Sequence, residues 1–122
     1  MTTINIPNRR LQVGTTEFGP TSIPDGAVFA TIDIDRTVSG GLNSLTGATQ
    51  LVLNVFESLD GGTTWINAAS TTCIGGIFTM HGGVTVTDNN VGVMIYPDAT
   101  NAKASIDVSG TSVTIAGSLT VQ

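Results

Sequence analysis

The sequence predicts an all-β protein, a single domain of short antiparallel strands arranged as a sandwich or a barrel. Two observations support this class: apolar and polar residues alternate in short runs, and turn residues separate those runs at short intervals. The composition agrees, because the 122 residues include 15 glycines and only 11% charged residues, with threonine, serine and asparagine supplying the polar surface. Threonine favours strands through its branched Cβ, whereas asparagine and glycine favour turns.

The first 24 residues differ from the rest and are predicted to form an extended N-terminal arm. Pro7, Pro20 and Pro24 interrupt two short β-like runs, and proline limits such runs to edge strands or extended segments. The predicted division is therefore an arm or edge segment at 1–24, followed by a β-sandwich domain at 25–122.

The arm contains the residues predicted to bind a partner, which are Ile4, Ile6, Arg9 and Arg10. Its apolar residues are too few to fold alone and too many to leave in water. We therefore expect the arm to be disordered in the isolated subunit and ordered against a neighbour. The two arginines are either part of a solvated tail or contacts to an acidic surface. Deletion of residues 1–10 is expected to leave the melting temperature nearly unchanged.

Alternation from Val28 onward predicts the strands of the sandwich and their inward faces. A first strand follows the turn at Ile23-Pro-Asp-Gly26, and later runs are separated by glycine pairs and by other turn residues. Ser109-Gly110, between the last two runs, predicts a tight hairpin. The side chains predicted to point inward are Val28, Ala30, Ile32, Leu51, Leu53, Val55, Val93, Ile95, Ile106, Val113 and Ile115.

Residues 58–65 read Ser-Leu-Asp-Gly-Gly-Thr-Thr-Trp and resemble the Asp-box hairpin found in many β-proteins. Ser58 and Asp60 are short acceptors that can bond the turn amides, and the Gly-Gly pair supplies the positive φ of a tight hairpin. Trp65 can fold back over the turn and bury its ring. We expect a structural role, without a ligand, for Ser58, Asp60, Gly62, Thr64 and Trp65.

No set of residues predicts catalysis, a cofactor or a metal site, so we expect a non-enzymatic protein without a cofactor. His81 is the only histidine and Cys73 the only cysteine, which is too few for a zinc site, and no motif builds a Ser-His-Asp triad. Asp33 and Asp35 share one face of a strand but lack the rest of a calcium loop, and are expected to be solvated. Cys73 is expected to be a buried apolar residue rather than a reactive thiol.

The charge distribution argues against nucleic-acid and membrane partners. The formal net charge is −5. The first ten residues hold two arginines and no acid, so residues 11–122 hold nine acids against two bases. An acidic body repels phosphate backbones. No segment approaches the apolar length that spans a bilayer.

From about residue 23 to 122, the order of features resembles the small jelly-roll structural proteins of tailed bacteriophages. An Ile-Pro-Asp-Gly turn leads into a strand that ends Ile-Asp-Ile-Asp-Arg36, and the Asp-box motif, a glycine-rich middle and a closing Thr/Ser/Val hairpin follow. One departure is that the closing hairpin holds only Lys103, where the family usually has several arginines.

This resemblance implies a jelly-roll-like, antiparallel β-sandwich without catalytic residues. It implies a place on the virion, at the capsid surface, as a decoration or cement subunit that is assembled in the host cytoplasm. The implied partners are the major capsid protein and further copies of the chain, in a homotrimer. The short N-terminal arm and the many neutral polar side chains suit such a role.

A receptor- or glycan-binding β-sandwich module, of a phage tail or a secreted protein, is the alternative. Such modules need exposed aromatic platforms, and aromatic residues make up only 5% of this chain. Tyr96 is the best remaining platform candidate, although a tyrosine at a strand end more often packs at the rim of a core. The low aromatic content favours the virion structural protein.

Overall fold

The computed structural model describes residues 1–45, 49–79 and 89–122, together with the backbone of residues 84–86. In these residues the chain forms ten β-strands and one short 3-10 helix. The elements are β1 (Thr2–Leu11), β2 (Gly14–Ser22), β3 (Phe29–Ile34), η1 (Leu42–Ser44), β4 (Gln50–Ser58), β5 (Ile66–Ile74), β6 (Ile77–Phe78), β7 (Val84–Val86), β8 (Asn90–Met94), β9 (Asn101–Ser109) and β10 (Val113–Val121).

The strands form two five-stranded antiparallel sheets. Sheet A has the order β1-β10-β3-β8-β7, and sheet B has the order β2-β9-β4-β5-β6. The chain crosses between the sheets at every step from β1 to β4, from β6 to β7, and at both steps from β8 to β10. The pairs β4-β5, β5-β6 and β7-β8 are hairpins within one sheet. This is the strand order of a jelly roll, and the predicted antiparallel β-sandwich is confirmed.

The core lies between the two sheets, at the alternating positions that the sequence predicts. Each buried Val, Leu or Ile side chain contributes about 1.5–3 kcal/mol relative to an exposed one. Ten of the eleven side chains predicted to point inward are buried: Ala30, Ile32, Leu51, Leu53, Val55, Val93, Ile95, Ile106, Val113 and Ile115.

Val28 is the exception, with 40% of its surface exposed. The amides of Val28 and Phe29 both donate to the carbonyl of Gln122, at 3.0 Å each. Two successive donors to one acceptor break the regular alternation, so the inward phase of β3 begins only at Ala30.

The prediction of an arm outside the sandwich is wrong, because residues 1–24 form β1 and β2. Strand β1 pairs with β10 from Thr2↔Val121 to Leu11↔Val113, and β2 pairs with β9. Ile6, Leu11 and Phe18 belong to the core, each at most 6% exposed. Both strands are edge strands, as their prolines indicate, but they are integral to the fold.

The prolines are accommodated by irregularities in the pairing. The register of β1 shifts between Ile6 and Arg9, around Pro7, and that of β2 shifts between Phe18 and Thr21, around Pro20. Because proline has no amide donor, a bulge on an edge strand is the position where a sheet tolerates it. A proline that looks like the end of a run is thus compatible with one continuous strand.

The predicted hairpin at Ser109-Gly110 is also wrong. Strand β9 lies between β2 and β4 in sheet B, whereas β10 lies between β1 and β3 in sheet A. Both strands have a partner on each side within their own sheet, so the short link carries the chain from one sheet to the other.

Candidate functional site

The Asp-box turn connects β4 to β5, and its polar side chains bond the turn backbone. Oδ1 of Asp60 accepts from Oγ of Ser58 at 2.8 Å and from the amides of Thr63 and Thr64 at 3.2 and 2.8 Å. Oγ of Ser58, which is fully buried, accepts from the amide of Gly62 at 2.8 Å. The turn is therefore closed by its own residues.

Thr100, which precedes β9, braces this turn from outside. Its amide donates to the carbonyl of Ser58 at 2.8 Å, and its Oγ1 accepts from the amide of Gly61 at 2.9 Å. The turn is thereby fixed to the connection between β8 and β9. No local pattern in the sequence indicates this contact, because Gly61 and Thr100 are 39 residues apart.

These bonds lower the pKa of Asp60 from its usual 3.8 to about 2. The backbone amide of Thr64 is the largest cause, and the Ser58 hydroxyl is the next. Hydrogen bonds to the charged carboxylate favour ionisation. Asp60 is therefore a charged structural acceptor at neutral pH.

Trp65 lies beside the turn as half of an aromatic pair around Lys103. Nζ of Lys103 is 4.7 Å from the centroid of the Trp65 ring and 5.4 Å from that of Phe56, and it pairs with Oε1 of Glu17 at 3.2 Å. A β-carbon added to Gly62 would lie 3.6 Å from the Trp65 ring. Trp65 is half-buried, so its ring covers the turn without entering the core.

The four predicted partner-binding residues do not form one surface. Ile6 is 1% exposed and Ile4 packs against the core. The Arg9 guanidinium lies 5.7 Å from the Phe18 ring centroid, and Nε of Arg10 donates to Oγ of Ser112 at 2.7 Å. Only the two arginines face solvent.

The other candidate residues are either satisfied or buried. Asn90 donates to Asp33 at 2.7 Å, and hydrogen bonds from Thr37 hold the pKa of Asp35 below its usual value. Cys73 is fully buried, and burial raises the pKa of its thiol, which opposes reactivity. His81 lies outside the described residues.

Within the described part of the chain, no group of three or more His, Cys, Asp or Glu residues could hold a metal ion. Nor does any helix there have the length and apolar character to cross a membrane.

A groove of about 310 Å³ opens where the end of β4, the start of β5 and the end of β8 meet. We call it the Glu57 groove; it is lined by Glu57, Ile66, Asn67, Met94 and Tyr96, together with Ala68 and Ile95. Its rim is apolar and accessible, with Ile66 40%, Met94 60% and Tyr96 59% exposed. Tyr96, the predicted aromatic platform candidate, is therefore at this rim.

Glu57 is a charged residue at an inward position of β4. Leu51, Leu53 and Val55 precede it on the same face, and Glu57 itself is only 2% exposed. Oε2 of Glu57 accepts from the amide of Tyr96 at 2.8 Å. Burial of a carboxylate is costly unless its oxygens are bonded, so an acid at a core position stands out as a candidate for function.

The sequence analysis missed Glu57, although a signal was present. Alternation along β4 places every second residue inward, and the series that begins at Leu51 ends on this glutamate. The sequence could not indicate that Tyr96 lies beside Glu57. Their hydrogen bond forms because the ends of β4 and β8, which belong to different sheets, meet in the folded protein.

No protein-family model and no curated protein matches this chain. Among solved structures, it is similar to a chain in the structure of infectious bursal disease virus Gt strain, with a TM-score of 0.54 and 16% identity over 98% of this chain. The match spans 30% of that viral chain.

Two carbohydrate-binding structures are also similar, at lower scores. One is a carbohydrate-binding module, CBM28, specific for non-crystalline cellulose, with a TM-score of 0.44 and 12% identity over 92% of this chain and 69% of the other. The other is the CBM22-1–GH10 part of Clostridium thermocellum xylanase 10B, with a TM-score of 0.43 and 12% identity over 98% of this chain and 26% of the other. At 16% identity, the likeness to the viral chain concerns the fold alone.

Proposed function

We propose that this chain is a non-enzymatic structural protein of a virion, a decoration or cement subunit that binds across joints of the major capsid protein as a homotrimer. The observation that carries the proposal is the likeness of nearly the whole chain to part of a chain in a virus structure. The resemblance of residues 23–122 to phage jelly-roll proteins supports the same role.

The surface of the described residues suits a subunit that binds other proteins. Large apolar side chains are exposed at several places, including Val13 at 59% and Ile77 at 71%. Charged residues are few, and neutral hydroxyl and amide side chains dominate. A cement subunit of this kind stabilises the assembled shell by mass action, because it binds the shell and not the separate capsid proteins.

The test is a comparison of particles produced with and without the gene for this chain. We expect difference density on the outer surface of the capsid at threefold positions, and a lower temperature of particle disruption when the chain is absent. Particles that lack the protein altogether, or that carry it in the tail alone, would contradict the proposal.

A receptor- or glycan-binding module is the second candidate, and the exposure of Tyr96 at the Glu57 groove is the observation that favours it. An exposed ring above polar groups can stack on the apolar face of a sugar. A glycan array checks this function: several specific signals that Tyr96→Ala abolishes would rank it above the structural role.

A further inference from the structure

We propose that the Glu57 groove binds the cationic end of a lysine or arginine side chain presented by a partner protein. The proposal goes beyond the role on a virion and does not depend on it, because any protein with an exposed basic side chain could supply the ligand. It follows from the charge, the hydrogen-bonding capacity and the apolar rim of the groove.

Glu57 has no cationic partner within the described residues. The ion pair seen there joins Lys103 to Glu17 on the outer face of sheet B, where Lys103 is the cross-strand partner of Phe56 rather than of Glu57. The one hydrogen bond to the Glu57 carboxylate there comes from the neutral amide of Tyr96. A carboxylate that is only 2% exposed and has no cation beside it is stabilised when a cation binds to it. The second carboxylate oxygen, Oε1, is available to accept.

The polar groups of the groove include two oxygen acceptors, the carboxylate of Glu57 and the amide oxygen of Asn67. Nδ2 of Asn67 uses one of its two hydrogens to donate to Oγ of Ser70 at 3.0 Å, and the amide oxygen of Asn67 is a further acceptor. Ammonium and guanidinium groups donate only, whereas sugar hydroxyls both donate and accept. The carboxylate of Glu57 gains more from a cationic donor than from a neutral hydroxyl, which favours a cation over a sugar.

The rim fits the remainder of such a side chain. Ile66 and Met94 offer apolar surface to the methylene groups of a lysine or arginine stem. Tyr96 adds an exposed aromatic ring to the rim, and the face of such a ring attracts a cation. The net charge of −5 attracts basic groups toward the molecule before contact.

The test uses the isolated full chain and two small probes, N-acetyl-arginine amide and N-acetyl-lysine amide. The neutral, similarly shaped N-acetyl-norleucine amide is the control ligand, and methyl glucoside represents a sugar. Amide chemical shifts are followed by NMR during titration. We expect at least one cationic probe to shift the Tyr96 and Asn67 amides at millimolar concentration, and the two neutral probes to leave them in place.

Two variants then locate the site. Glu57→Gln keeps the shape and the acceptor for the Tyr96 amide but removes the charge, and should weaken binding about tenfold or more, as expected for a lost charge-assisted hydrogen bond. Asp25→Asn removes the same charge from an exposed turn and should leave binding unchanged. Tyr96→Ala, which is at the exposed rim and should fold normally, is expected to weaken binding as well.

Three results would overturn the proposal. Equal shifts with norleucine amide would make the groove merely apolar, and shifts with methyl glucoside alone would make it a sugar site. If Asp25→Asn and Glu57→Gln weakened binding of the cationic probes equally, the binding would depend only on the net charge of the protein. Because the isolated chain is used, failure here leaves the particle experiment unaffected.

Discussion

Asp60 is the residue on which the turn between β4 and β5 most depends, since a single carboxylate oxygen accepts three of its hydrogen bonds. Asp60→Ala removes all three, as the loss of a cap does at the end of a helix. We expect the melting temperature to fall by about 4 °C, measured by circular dichroism. Asp98→Ala, at an exposed turn, is the control and should change it little.

The pH dependence of stability provides a second test of Asp60. Its pKa is about 2 in the folded protein and 3.8 in the unfolded chain, so its stabilising effect is fully present above about pH 4 and is lost as the pH falls toward 2. Thermal melts across this range should show a smaller decline in the Asp60→Asn variant than in the wild type. Identical declines would mean that the carboxylate has an ordinary pKa in the folded state.

Gly76, in the turn between β5 and β6, is confined by the loop that contains η1. Its φ is +84°, and an added β-carbon would lie 2.4 Å from the carbonyl oxygen of Leu42. Gly26 has a similar φ, +75°, with nothing within 4 Å. We expect Gly26→Ala to cost about 1–2 kcal/mol for its conformation alone. Gly76→Ala should cost about 1–3 kcal/mol more for the clash, as measured by urea unfolding.

Strand β1 contributes side chains to the core and is required for the fold. Ile6 is 1% exposed in the core, so Ile6→Ala should cost about 2–5 kcal/mol. Asn5→Ala, at the exposed neighbouring position, should change the free energy of unfolding by less than about 0.5 kcal/mol. Deletion of residues 1–10 should unfold the isolated domain, contrary to the expectation for an arm. A deletion variant with an unchanged melting temperature would restore that expectation.

The outer face of sheet B is held together by a chain of polar side chains centred on Asn54. Its Nδ2 donates to Ser105 and Asp107 at 3.0 and 3.1 Å, and its Oδ1 accepts from Ser70 at 2.6 Å. Because these residues come from β4, β5 and β9, the bonds favour one register among three strands.

The contribution of this chain of bonds can be measured with Asn54→Ala. Asn54 is only 7% exposed, and its removal leaves partly buried partners unsatisfied. We expect a loss of about 1–3 kcal/mol in chemical denaturation. Thr72→Ala, at an outward position of β5, is the comparison and should have a smaller effect. Equal effects would show that the chain of bonds adds nothing to the stability of the sheet.

The elements could be predicted from sequence to different degrees, for identifiable reasons. Strand β3 follows from alternation, because one of its faces is buried and the other is only partly so. Strand β4 follows from its run of β-branched and large apolar residues. Strand β1 could not be extended across Pro7, because the bulge that accommodates it exists only against β10. The sheet to which each strand belongs was the hardest feature to predict from the sequence. The short link Ser109-Gly110, for example, is compatible with a hairpin within one sheet and with a crossing between two sheets.

The candidate site was predictable only in part. The sequence names Tyr96 as the best candidate for an aromatic platform, although it favours packing at the rim of a core. Glu57 follows from the phase of β4 once that phase is extended to its end. Their meeting depends on contact between strands of two different sheets, which no local pattern specifies. For the same reason, the brace of Thr100 on the Asp-box turn required the structure.

For the whole molecule, the pairing of Thr2 with Val121 has a practical consequence. Adjacent residues of an antiparallel pair are about 5 Å apart, so the two ends of the chain leave the sandwich side by side. A short linker from Gln122 to Met1 should therefore close the polypeptide into a ring without distortion. Cyclisation removes entropy from the unfolded chain alone and should raise the melting temperature by several degrees. The same geometry would let the whole sandwich be spliced into a surface loop of another protein, as a compact insert whose entry and exit points coincide.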